Sequence, residues 1–119
     1  NMTNKEFAKN LESRTLKFAI EILNLSASLS KSQEALVIRN QLSKSGTSIG
    51  ANYREANRSR SKKDFANKIK ISLAEASETD YWLEIIAELN WIEKEKIKII
   101  RNEAKELLAI FTSIANKLN

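Results

Sequence analysis

The chain has no cysteine, no histidine and no proline, and only two glycines among its 119 residues. Without cysteine there are no disulfides and no thiolate metal sites. Without histidine the usual general base and the usual zinc ligand are missing. Scarce proline and glycine argue against an all-β fold, whose many turns need both. The same scarcity fits long helices joined by short loops. The longest apolar run, residues 107–111, is far short of the roughly 20 residues that cross a bilayer, so no membrane association is expected. Residues 1–10 carry Lys5, Glu6 and Lys9 with no apolar centre, so they do not read as a signal peptide. A cytoplasmic location is the expectation.

What is present is a globular composition, 42% hydrophobic and 29% charged, on a length that suits one domain over residues 1–119. The net charge of +5 is unevenly placed. Residues 54–70 hold Arg54, Arg58, Arg60, Lys62, Lys63, Lys68 and Lys70 against only Glu55 and Asp64. Residues 71–93 hold six Asp or Glu and no Lys or Arg.

Apolar periodicity predicts four helices, over about 4–28, 32–57, 62–89 and 94–118. In the first, Leu11, Phe18 and Leu25 recur every seven residues beside Ile22 and Leu29, and Asn4 is the expected N-cap. Ser30 and Gln33 have capping-box spacing for the second helix. Its apolar positions are Leu36, Leu42, Ile49, Tyr53 and Ala56. Gly46 and Gly50 fall inside it, each costing about 1 kcal/mol relative to Ala. They read either as a notch that lets another helix approach or as a local weakness. Ser61 and Asp64 have capping spacing for the third helix, which runs through Phe65, Ile69, Leu73, Ala76, Leu83 and Ile86 and ends near Asn90. The fourth carries Ile97, Ile100, Ala104, Leu107, Phe111, Ile114 and Leu118. Short connections predict an all-α, antiparallel up-down four-helix bundle.

A polar stripe runs beside the apolar one on the second helix: Ser45, Ser48, Asn52 and Glu55 share a face. On the third helix Asp64, Lys68, Ile71, Glu75, Glu78 and Trp82 do the same. Folding the pair about Ser59 and Arg60 predicts that Glu55 meets Asp64, Asn52 meets Lys68, Ser48 meets Ile71, Ser45 meets Glu75 and Gln41 meets Glu78. The stripe reads as a partly buried hydrogen-bond network, as a subunit interface, or as a solvated face. Ser and Asn are mediocre helix formers, which favours the first two. Glu75 and Glu78 are poor metal ligands here, because the di-iron pattern of helical bundles needs Glu-x-x-His. No nucleophile and base can be assembled, so the chain is expected to be no enzyme and to need no cofactor.

The turn between the second and third helices could meet a phosphate backbone through Arg54, Arg58, Lys62 and Lys63, with Tyr53 available for stacking. Basic surface loops are also common without any ligand. Alternatively the acidic stretch from Glu75 to Glu93 could meet a basic partner, with Tyr81, Trp82 and Trp91 as aromatic anchors. The two Trp residues could instead cap the core.

The run from Ser45 to Ala56, with Gln41-Leu42 before it and Arg58, Arg60-Ser61-Lys62, Asp64-Phe65, Lys68-Ile69, Glu75-Ala76, Glu78-Thr79 and Tyr81-Trp82-Leu83-Glu84 after it, resembles one family. These are the helical-bundle proteins first met in intervening sequences of bacterial 23S ribosomal RNA genes. Ala56-Asn57 departs from the pattern, where many relatives show a Gly. The resemblance implies a left-handed bundle, assembly as a homopentamer, and a basic surface. It implies a similar fold in an accessory protein of diversity-generating retroelements, which binds nucleic acid. No enzymatic activity is implied. Two functions are therefore expected as alternatives: a non-catalytic oligomer that binds RNA or DNA through residues 54–70, or a scaffold that assembles with itself or a partner protein without nucleic acid.

Overall fold

The structure, a computed structural model, describes residues 2–119. All its regular elements are helices: α1 (Asn4–Ser28), α2 (Gln33–Asn57), α3 (Lys62–Glu88) and α4 (Lys94–Lys117). The expected boundaries differ from these by one residue or less.

Each start has a local cause. The Thr3 hydroxyl accepts from the Glu6 amide at 3.1 Å, so Thr3 caps α1 and the expected cap, Asn4, is already helical. Ser32, with extended backbone, caps α2 by accepting from the Ala35 amide. The expected Ser30 stands outside and donates to the Ser32 hydroxyl at 3.1 Å. Ser61 caps α3 through the Asp64 amide, as its spacing predicts. At the end of α3, Asn90 adopts φ 56°. The Asn90 amide bonds back to the Ala87 carbonyl and the Trp91 amide to the Ile86 carbonyl. This is a Schellman closure, and Asn is one of the few residues that tolerate the left-handed position. Glu93 then accepts from the Glu95 and Lys96 amides to start α4.

Around the bundle α1 touches α2 and α4, and α3 touches α2 and α4. The diagonal helices meet through side chains alone: the rings of Tyr53 and Phe111 sit 5.4 Å apart, edge to face. Phe18, Ile22, Leu42, Ile49, Ile69, Leu83, Ile86, Leu107 and Phe111 are completely buried in one core. Two expected core positions lie outside it. Leu36 and Leu118 are 41% and 42% exposed: Leu36 is turned off the inward face that buried Ala35, Ile38 and Leu42 define on α2, and Leu118 stands past the last residue of α4.

Gly46 and Gly50 do not break α2. They make room for α1. A Cβ on Gly46 would come within 2.7 Å of Ile22 Cγ2, and one on Gly50 within 2.8 Å of Thr15 Oγ1. Both obstacles sit on branched Cβ atoms that rotate poorly in a helix. The pairs Ile22–Gly46 and Thr15–Gly50 also run in opposite order along the two helices. Gly46→Ala is expected to lose about 1–3 kcal/mol to the clash and regain about 1 kcal/mol of helix propensity. Urea denaturation should therefore show a net loss. Ile22→Ala alone should cost about 2–5 kcal/mol, and less in the Gly46→Ala background, where it relieves the clash. Strictly additive costs would refute the notch.

Candidate functional site

The seam between α2 and α3 is closed by hydroxyls rather than by the carboxylates and amides of the expected stripe. Ser45, Ser72 and Thr79 are fully buried. The Thr79 Oγ1 lies 2.9 Å from Ser45 Oγ and 2.7 Å from the Glu75 carbonyl. The Ser72 hydroxyl donates across the seam to the Ile49 carbonyl at 2.9 Å. At the outer end Lys68 Nζ reaches Glu55 Oε1 at 3.0 Å.

These contacts correct the expected register. Glu55 faces Lys68 rather than Asp64, and Ser45 faces Thr79 rather than Glu75. In both cases the α3 partner lies one helical turn further along. The reason is the tilt of every Cα–Cβ bond toward its own helix N-terminus. On α3 that tilt points toward the turn, and on α2 away from it, so a residue of α3 meets one of α2 that lies closer to the turn than a symmetric fold-back predicts. Ser72 and Thr79 were legible only as a seven-residue pair of small hydroxyl residues, a weak signal.

The rest of the stripe borders solvent. Ser48 and Asn52 are half-buried and bond within α2, to the carbonyls of Lys44 and Ser48. Gln41 and Asp64 are exposed. Glu75 and Glu78 are half-buried on α3, and Glu78 accepts from the Trp82 indole at 3.1 Å. Burial, with repulsion from Glu78 second, raises the Glu75 pKa above its usual 4.5, while Lys44 and the Ser48 hydroxyl oppose the rise. Among the described residues no group of three or more Asp or Glu converges as a metal site.

The aromatic residues divide. Tyr81 is 57% exposed, as an anchor would be. Trp82 and Trp91 are half-buried and pack against the core. Tyr53 is 2% exposed and held against Phe111, which removes it as a stacking platform. Its position on the apolar stripe of α2 already pointed inward. Burial also raises its pKa.

The cations of residues 54–70 gather around the α2–α3 turn, but two are engaged. Arg54 Nε lies 3.3 Å from Glu12 on α1, whose other oxygen accepts from Asn57. Lys68 is the partner of Glu55. Arg58, Arg60, Lys62, Lys63 and Lys70 are exposed, and among the described residues no carboxylate lies within ion-pair distance of them. Arg58 ends α2, with its amide bonded to the carbonyls of Glu55 and Ala56. A shallow cleft joins Arg58 and Arg60 to Lys68 and is lined also by Glu55 and Asp64. At the α1–α4 seam Arg14 forks onto Glu103 at 2.7 and 2.6 Å and reaches Glu106 at 3.0 Å.

Fold and site together define a class: a four-helix bundle with a hydroxyl-sealed middle seam and a cationic cap on one turn. A model of the 23S rRNA-intervening sequence proteins matches residues 9–113, and the chain belongs to that family. A crystal structure at 1.70 Å of a protein with unknown function from the S23 ribosomal protein family, from Bacteroides thetaiotaomicron VPI-5482, is similar. It is 41% identical over 87% of this chain and 96% of that one, with a TM-score of 0.81. No curated protein matched.

Because the folded-state pKa of Glu75 is raised, its charge costs stability above that pKa, and the cost disappears below pH 4.5. Glu75→Gln should therefore raise the melting temperature at pH 7 and leave it unchanged near pH 3.5. A gain of equal size at both pH values would show that desolvation of the carboxylate is not the cause.

Proposed function

We propose that the protein is a non-catalytic helical bundle that binds RNA through the cap on the α2–α3 turn. The observation that carries this reading is the group Arg58, Arg60, Lys62 and Lys63, exposed together with no carboxylate in ion-pair range. Uncompensated cations at one end of a rod suit a phosphate backbone, where each contact releases a counterion. The family's tie to 23S ribosomal RNA genes supports RNA over DNA, although that tie describes where the genes lie. In this reading residues 1–119 form one domain, a left-handed up-down antiparallel bundle, working in the cytoplasm without a cofactor. Kinship with the accessory protein of diversity-generating retroelements belongs to the same proposal.

A variant that removes four positive charges, Arg58→Ala with Arg60→Ala, Lys62→Ala and Lys63→Ala, tests it. Filter binding of a single-stranded RNA across salt should show a log–log slope shallower by about 3, from roughly 0.7 per contact. Helicity should be unchanged. An unaltered slope would remove the cap from the interface.

A second reading is assembly into a homo-oligomer, a pentamer by the resemblance, acting as a scaffold for itself or a partner protein. The outer flank of α1 favours it. Leu16, Ile20 and Leu23 are 51%, 51% and 47% exposed, at spacings that put them on one face, away from the core stripe of Leu11, Phe18, Ile22 and Leu25. Ile20→Glu with Leu23→Glu should reduce the mass seen by light scattering at micromolar concentration and leave circular dichroism intact. A wild-type monomer would defeat the scaffold reading and spare the first.

A further inference from the structure

The cationic surface does not stop at the turn. On α4, Lys94, Lys98, Arg101 and Lys105 are spaced by four, three and four residues, which stacks them along one face about 5–6 Å apart. They border a cleft floored by Ala87, Ile92 and Ile97. Lys105 also borders a second cleft, which continues past Thr112, Ser113 and Asn116 to Lys117. Lys117 in turn borders a third, which opens onto Arg60 and Lys62 at the α2–α3 turn. The three clefts share their boundary residues, and no Asp or Glu lines any of them.

Three of the carboxylates nearby are held elsewhere, and Glu84, Glu88 and Glu95 are exposed outside the clefts. Glu103 and Glu106 are held by Arg14 at the α1 seam. Glu93 is occupied by the amides that start α4. Asp80 on α3 forms a long ion pair with Arg101 at 3.9 Å, both half-buried, so the free cations of the stripe are Lys94, Lys98 and Lys105. Lys94, Lys98, Lys105 and Lys117 are exposed, and among the described residues none has a carboxylate within ion-pair distance.

We infer that this groove is a second nucleic-acid contact, a track along α4 that carries one phosphate backbone from the Lys94 end of the bundle to the α2–α3 turn. The proposal deepens the RNA-binding reading but occupies a separate surface. From Lys94 to Lys117 the helix rises about 35 Å at about 1.5 Å per residue. That is roughly ten base steps at about 3.4 Å each. Cations stand at both ends. Between Lys105 and Lys117 the groove offers Thr112, Ser113 and Asn116, neutral groups of the kind that bond phosphate oxygens and fix register. A strand on the track would meet the stripe and the cap together, which multiplies two weak attachments.

The test is fluorescence anisotropy of the full chain with a labelled 20-nucleotide single-stranded RNA, across salt. Two variants leave the cap intact. Lys94→Gln with Lys98→Gln and Lys105→Gln removes three contacts, and the log–log slope should become shallower by about 2. Ser113→Glu removes no cation but sets a carboxylate in the middle of the track, and should weaken binding roughly tenfold at low salt by repulsion. If either variant binds like the wild type, the track is overturned. Loss of affinity in the cap variant alone would leave the cap reading and remove the track. Loss in the α4 variants alone would do the reverse. A wild-type chain that ignores RNA and takes up a poly-glutamate peptide would assign the groove to an acidic protein and overturn both nucleic-acid readings.

Discussion

Apolar heptads by themselves leave helices free to slide, because a shift of one repeat again buries apolar residues. In this bundle the slide is blocked at two points. Gly46 and Gly50 admit Ile22 and Thr15 of α1 at distances no Cβ would allow, and a shift of α1 would set branched side chains against residues that have one. On the other side of α2, Ser45 meets Thr79, and Ser72 meets the Ile49 carbonyl. A shift there would strand the buried Ser72 hydroxyl, at about 1–3 kcal/mol, whereas Ser45 and Thr79 keep carbonyl partners within their own helices. With no cysteine in the chain, these side-chain contacts carry the register. They also determine which residues of α1 lie beside the α2–α3 turn, Glu12 among them.

That choice of register organises the charge. Along the chain the cations of residues 54–70 and the carboxylates of residues 71–93 form two blocks. In space the pattern is finer. Carboxylates sit at helix seams where a cation from another helix meets them: Glu12 with Arg54, Glu55 with Lys68, Glu103 with Arg14, and Asp80 with Arg101. Such partly exposed pairs contribute little stability, but they remove their cations from the free surface. Among the exposed cations left without an ion pair are those at the α2–α3 turn and the lysines along one flank of α4.

Much of the fold was legible because the signals were local. The Ser61 cap, the stop at Asn90 and the helix boundaries each follow from contacts within about four residues. The glycine pair was legible as either a notch or a local weakness, and only the packing of Ile22 and Thr15 against it decided for the notch. The failures share a cause. The α2–α3 register missed by a turn, because it depends on side-chain tilt in two opposed helices. Tyr53 was offered to a ligand although its place on the apolar stripe turns it toward Phe111. Ser72 and Thr79 were passed over for the more polar residues beside them, since a hydroxyl in a helix does not announce that it is buried. The Lys94–Lys105 spacing was readable in the sequence, but its importance rests on the absence of acids along clefts that three different segments build.

Periodicity, caps and the lack of turn-forming residues thus determined that the chain makes four long helices, because each depends on neighbours a few positions away. Which charges stay free, which hydroxyls are sealed and how the helices are offset were decided only by the tertiary structure. Each of those is a property of atoms far apart in sequence, such as Arg14 and Glu103 or Lys117 and Arg60, and no pattern within one helix records its neighbour across the seam.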